Sequence, residues 1–255
     1  MFIRTERSVK EFMRYYPVVT WIVIIHLILW FITDFLPLPF GDRLDQLGTG
    51  HNYFISQGEY WRLFTSIFIH AGLMHALFNS FSLVLFGPAL EQMIGKAKFI
   101  FAYVGAGLIG NLATYFLAPS LNYAYVGASG AVFGLFGIYI YMVGFRKNLI
   151  DQANSQIIMT ICIIGLVMTF IQPGINIYAH IFGFVGGLVL APLVLTKAQA
   201  YSPWRNRTYY NDGSIQFNPN RWRKKRIRLP RGLFKNTLWL IIGILVLLGL
   251  ANRFF

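Results

Sequence analysis

Tyr125-Val-Gly-Ala-Ser-Gly-Ala-Val-Phe-Gly-Leu-Phe-Gly137 sets one hydroxyl, Ser129, among small residues inside an otherwise apolar segment. Its glycines include two small-xxx-small pairs, Gly130/Gly134 and Gly127/Ala131, which let a neighbouring helix approach closely. The surrounding chain has the composition such a helix needs. Hydrophobic residues make up 56% and charged residues 12%, where a soluble domain carries roughly a quarter charged. With a mean hydropathy of +0.55, this is the composition of a multi-spanning membrane protein. Its 255 residues accommodate about seven helices of ~20 residues across a ~30 Å hydrocarbon core, with no large extra domain.

Working outward, residues 1–16 form a basic amino-terminal segment, and the apolar run Pro17–Leu36 is long enough to span. No small-residue cleavage pattern follows it, so it is expected to stay as the first span. Residues 38–62 read as a loop lying partly in the interface, with Phe40, Tyr53, Phe54, Tyr60 and Trp61 among charged and turn residues. Further spans are predicted over Leu63–Phe86, Phe99–Leu117, Gly127–Phe145, Gln156–Ile171 and Ile175–Leu195. The resulting domain plan is a cytoplasmic segment 1–16, a six-helix core 17–197, a basic linker 198–232, and a seventh span with a short tail over 233–255. The fold class is thus an all-α membrane protein, six transmembrane helices in one bundle plus one additional carboxyl-terminal helix.

The net charge of +13 reads as cytoplasmic loops and not as a nucleic-acid surface. With the amino terminus inside and the carboxyl terminus outside, nineteen of the 22 lysines and arginines fall on the inner side. Such a chain is expected in the cell membrane. The run Arg221-Trp-Arg-Lys-Lys-Arg-Ile-Arg228 is either a stop-transfer cluster or a contact with anionic inner-leaflet lipid. The single cysteine, Cys162, excludes an intrachain disulfide and any thiol-rich metal site.

This topology sets Ser129, His70, His75 and His180 in the outer half of the bilayer, each following an outside loop. Ionisable groups within spans are functional candidates by default. His75 and Asn79, four residues apart, share one helix face. Gly183, Gly186 and Gly187 follow His180, and Gly183/Gly187 is another small-xxx-small pair. If the two glycine-bearing helices pack on each other, Ser129 and His180 come within reach as nucleophile and base. His26 reads as structural or lipid-facing near a polar neighbour, and His51 is uninformative. Aspartyl chemistry lacks two buried acids, and no glutamate follows any histidine, which excludes an HExxH zinc site. Gly-x-Ser-Gly also differs from the Gly-x-Ser-x-Gly elbow of soluble hydrolases. With no buried carboxylate to orient His180, any base system is a Ser–His dyad with a weaker orienting shell than a triad.

At this point the residues resemble the rhomboid intramembrane serine proteases, over about residues 15–197. Trp61-Arg62 matches the family's Trp-Arg in the first outside loop, and His70-Ala-Gly-Leu-Met-His75-Ala-Leu-Phe-Asn79 its second-helix pattern. Gly127-Ala-Ser129-Gly130 matches the nucleophile motif, and Ala179-His180-Ile-Phe-Gly183-Phe-Val-Gly186-Gly187 is similar to the sixth-helix motif. The resemblance implies a serine endopeptidase in which Ser129 attacks a carbonyl in a substrate's transmembrane segment and His180 is general base, then acid. It also implies an oxyanion hole from His75, Asn79 and the Ser129 N–H, and a role for His70 in retaining water. Neither cofactor nor metal is implied. The partners implied are transmembrane substrates and the bilayer. Phe133 stands one turn after the serine where the family often has tyrosine; its ring is expected to stack on His180 without a hydroxyl bond. The rival readings are an inactive rhomboid-like client binder, against which the presence of both Ser129 and His180 counts, and a histidine-lined transporter, against which the lack of an intramembrane acid counts.

Overall fold

A computed structural model of the chain describes Glu6 and residues 8–205. The expected seventh span, most of the basic linker and the Arg221–Arg228 run lie outside the described residues.

In chain order the elements are helices α1 (Val9–Tyr15) and α2 (Pro17–Trp30), a π turn Phe31–Phe35, α3 (Pro39–Gly48), strand β1 (Gly50–His51), α4 (Asn52–Ser56) and α5 (Arg62–Thr65). Then come α6 (Leu73–Ile94), α7 (Lys96–Leu117), strand β2 (Ala124–Tyr125), α8 (Ser129–Phe145), a 3-10 turn Lys147–Leu149, α9 (Gln152–Ile171) and α10 (Ile177–Val194). Among the described residues, five helical segments are long and apolar enough to cross a bilayer: Pro17–Phe35, Leu73–Ile94, Lys96–Leu117, Gln152–Ile171 and Ile177–Val194. The 17-residue α8 is apolar and shorter. This is a predominantly helical, multi-pass membrane protein. Its outer faces carry Trp21, Phe78, Phe81, Ile163 and Phe170, which suit contact with lipid tails.

Helix α8 is apolar on every side and is buried accordingly, with Leu135, Ile138, Tyr139 and Met142 inaccessible. It lies parallel to α10: Gly130 meets Ala179, the Cα of Gly183 faces the Gly130 carbonyl, Gly187 faces that of Gly134, and Gly137 faces that of Phe184. Each contact is backbone on backbone. A methyl at any of these glycines has nowhere to turn, so the glycines fix the separation of the two axes. Helix α6 also runs with α8, pairing Phe86 with Phe136 at 4.7 Å and accepting the Tyr139 hydroxyl at the Phe86 carbonyl, 2.6 Å.

Polar groups inside such a bundle must find partners within the protein. The first N–H groups of a helix have no intrahelical acceptor. At α2 these are Val18 and Val19, and both donate to the Glu91 carboxylate of α6, at 3.0 and 2.9 Å. At the other end of α10, the Lys98 ammonium donates to the carbonyls of Val194 and Thr196.

Three expectations need correction. The second span starts at Leu73 and ends at Ile94, not Leu63 to Phe86. Gly72 and Gly95, with φ of +88° and +84°, break the backbone at both ends. Gly127 is not in α8: it has φ +116° and precedes the helix, which opens at Ser129. The segment 38–62, read as a loop, folds into α3, β1 and α4 and pairs with the chain ahead of Ser129. Gly50 lies opposite Tyr125 and His51 opposite Ala124 in an antiparallel ladder. Tyr53 N–H also donates to the Leu121 carbonyl at 2.7 Å.

Candidate active site

Ser129 is the first residue of α8 and is half-buried. Its position is set from three directions. The Gly127 N–H donates to the Ser66 carbonyl at 2.8 Å, and Ser66 is itself held by the Asn111 amide of α7 at 3.1 Å. The Ala128 N–H points at His70 Nε2, 3.4 Å away. Behind the serine, Gly130 rests on the Ala179 carbonyl of α10, where a Cβ would come within 3.0 Å.

His180, in the first turn of α10, is the residue after that carbonyl. Ser129 and Phe133 are four apart on one face of α8, and the Phe133 ring stacks on the His180 imidazole at 4.3 Å with an interplanar angle of 24°. Ser129 and His180 are therefore carried on two helices in packed contact, with Gly130 and Gly183 at its centre. The other edge of the imidazole reaches α9, where Nδ1 lies 2.8 Å from the Thr169 hydroxyl oxygen.

The residues of α6 close the opposite side. The His75 ring lies where a Cβ on Gly127 would be, 2.6 Å from Cε1 and Nε2, so only glycine fits there. Asn79 donates one amide hydrogen to the His75 carbonyl at 3.0 Å, which leaves the amide a second N–H. His70 packs against His75 at 5.1 Å and His26 at 4.6 Å. Its Nδ1 faces the Phe68 carbonyl at 3.1 Å, and a carbonyl only accepts, so Nδ1 carries the hydrogen and Nε2 is the acceptor for Ala128. His70 thus supports the backbone of the Ser129 turn. His26 is fully buried between Ser80 and Tyr103, with both ring nitrogens at 3.4 Å from a hydroxyl, and does not face lipid.

Trp61 and Arg62 are not at the serine. Arg62 is buried and joins Glu59 at 2.7 Å and the Thr49 carbonyl at 2.8 Å, with its guanidinium 4.7 Å above the Phe54 ring. Trp61 donates to the Leu47 carbonyl at 3.2 Å. Together they bind the end of α3 to α5 and so hold the outer segment that pairs with the chain before Ser129. Among the described residues no group of three or more His, Cys, Asp or Glu side chains is arranged to hold a metal ion. Thr169 is the site neighbour that sequence reasoning missed. A threonine in an apolar helix ordinarily bonds its own helix, as this one also does at Gly165.

The rhomboid domain matches residues 57–197, which contain Trp61 through His180. A candidate rhomboid protease of Bacillus subtilis (strain 168), YdcA, is 48% identical over 199 residues, covering 78% of this chain and 98% of that protein. Rhomboid protease GluP of the same organism is 36% identical over 161 residues, which are 63% of this chain and 31% of that protein. RHOMBOID-like protein 6, mitochondrial, of Arabidopsis thaliana is 30% identical over 186 residues, 71% of this chain and 60% of that protein. A domain match over more than half of the chain and a relative aligned along nearly its whole length together show that this chain belongs to the rhomboid family of intramembrane serine proteases.

Proposed function

We propose that this protein cleaves transmembrane segments of membrane proteins near the outer face of the cell membrane, with Ser129 as nucleophile and His180 as its base. Ser129 Oγ attacks the scissile carbonyl while its proton passes to His180 Nε2. The imidazolium then returns that proton to the leaving amine, and water repeats the cycle on the acyl-enzyme. The oxyanion is received by His75, the second amide hydrogen of Asn79 and the Ser129 N–H. Donors held where charge develops are worth about 3–4 kcal/mol each in a water-poor site. The observation that carries the reading is the contact of Gly130 and Phe133, which stand one and four residues after Ser129 on α8, with Ala179, His180 and Gly183 on α10. The position of Ser129 adds support, since N–H groups in the first turn of a helix have no intrahelical acceptor and the positive end of the dipole favours an anion.

A substrate helix must unwind to present its carbonyl, so cleavage is expected where small or helix-breaking residues weaken it. The count of cations on the loops supports an amino terminus in the cytoplasm. Purified protein in liposomes, a labelled transmembrane substrate and a serine-directed phosphonate test the chemistry. Ser129→Ala is expected to lose labelling and cleavage, and His180→Ala to lose cleavage. Labelling or cleavage that persists unchanged in Ser129→Ala rules the mechanism out.

A further inference from the structure

The geometry points to Thr169 as a positioning residue that fixes the tautomer of His180. The inference rests on the reading of His180 as general base, and it follows from counting protons. Thr169 is buried, 1% exposed, and its single hydroxyl hydrogen must serve two neighbours of Oγ1, each at 2.8 Å: the Gly165 carbonyl and His180 Nδ1. The carbonyl has no hydrogen to give. If the hydroxyl donated to Nδ1, two oxygen lone pairs would face each other at 2.8 Å with no hydrogen between them. If instead it donates to Gly165, Oγ1 is free to accept from Nδ1–H, and both short contacts become hydrogen bonds. The second arrangement leaves the lone pair of the neutral imidazole on Nε2.

That is the tautomer the serine needs. A proton leaving Ser129 Oγ goes to Nε2, while Nδ1–H stays on Thr169. As the imidazolium forms, the Nδ1–H···Oγ1 bond becomes charge-assisted and strengthens. Thr169 therefore stabilises the charged state more than the resting one and acts on the chemical step. The rest of the imidazole is held to match. Gly165 and Thr169 share a face of α9, and the glycine leaves room for Phe133, whose ring would stand 3.2 Å from a Cβ there and which stacks on the imidazole face. Helix α9 thus supplies the orienting group of the dyad, a hydroxyl in the place a triad gives to a carboxylate.

The test uses the full chain in liposomes or micelles, the labelled transmembrane substrate, and protein labelled with 15N at histidine. The wild-type spectrum is expected to show His180 protonated on Nδ1 and bare on Nε2. Thr169→Val, which keeps the shape and drops the hydroxyl, is expected to mix the tautomers and lower kcat by about two- to tenfold with KM unchanged, the loss of one ordinary buried hydrogen bond. Thr169→Ser is expected to restore both. A wild-type His180 protonated on Nε2 overturns the inference, as does a Thr169→Val variant with wild-type kcat and unchanged His180 signals, or one in which only KM changes. Should Thr169→Val fail to fold, the wild-type spectrum decides alone. Wild-type cleavage by His180→Ala removes the base reading itself, an outcome the spectrum does not depend on.

Discussion

Replacing Gly183 by alanine adds one methyl group at the contact between the two helices that carry the proposed dyad. Its carbon would fall against the Gly130 carbonyl oxygen, 2.8 Å from the carbonyl carbon and 3.0 Å from Cα. Carbon atoms rest comfortably at ~3.5–4.0 Å, so the axes of α8 and α10 must part by roughly 1 Å. No rotamer relieves the clash, because every atom met is backbone. Overpacking of this kind costs about 1–3 kcal/mol, of which the better helix propensity of alanine returns up to ~1 kcal/mol. The net loss of about 0–2 kcal/mol leaves most of the protein folded. Activity responds more steeply. Gly130 is the neighbour of Ser129, and Gly183 lies one turn after His180, so the same displacement separates the proposed nucleophile from its proposed base. A misplacement of ~1 Å is worth about 100-fold in rate. The assay pairs cleavage of a labelled transmembrane substrate in liposomes with thermal unfolding followed by tryptophan fluorescence. The control is Gly144→Ala, in the same α8, where a Cβ meets nothing within 4 Å; it should leave cleavage unchanged and stability equal or higher. Gly183→Ala cleaving at the wild-type rate would refute the claim that this contact sets the catalytic distance.

Two further predictions concern stability. Glu91→Gln should destabilise the fold by about 1–3 kcal/mol in thermal unfolding, because an amide offers one acceptor where the carboxylate serves both Val18 and Val19 N–H in a buried setting. Asp151 caps α9, and hydrogen bonds from the Asn154 N–H and side-chain amide hold its carboxyl below the usual carboxylate range. Its contribution is therefore present above the unfolded-state pKa and lost as pH falls through the folded-state value. The group is exposed, so the shift itself is discounted for solvent screening, and Asp151→Ala should cost about 0.5–1 kcal/mol at pH 7 as a lost cap. That difference from wild type should close in unfolding scans taken well below pH 4.

The apolar spans were legible because hydropathy and length depend only on composition within a window. The starts at Pro17 and the ends at Leu117 and Phe145 agree with the structure. So does the pairing of the Gly130 and Gly183 helices, since small residues at four-residue spacing leave few alternatives. The start of α6 was not legible. Leu63 to Phe86 contains no Asp, Glu, Lys or Arg to interrupt it, and the turn at Gly72 exists through a positive φ that hydropathy does not register. Gly127 misled for the same reason: it looked like half of a packing pair and is instead a turn residue that admits the His75 ring. Thr169 carried no signal of its own, because its role depends on an atom 11 residues away on another helix, His180 Nδ1.

The late start of α6 has a functional consequence. His75 is the third residue of α6, Ser129 the first of α8, and His180 the fourth of α10, and the three helices run parallel. Each helix start carries roughly half a positive charge and peptide N–H groups without intrahelical acceptors. Inside lipid such an end is a liability, and three of them on one side of the bundle would compound it. On the proposed reading they face the one place where a negative charge appears and disappears with each turnover. A helix running unbroken from Leu63 would carry its positive end roughly 18 Å away from His75. The break at Gly72 brings that end to the serine, and the chain it frees, Arg62 to Gly72, becomes the strap whose Ser66 carbonyl and His70 ring hold Gly127 and Ala128 in place. One glycine turn thus sets both the electrostatics of the site and the backbone that presents the proposed nucleophile.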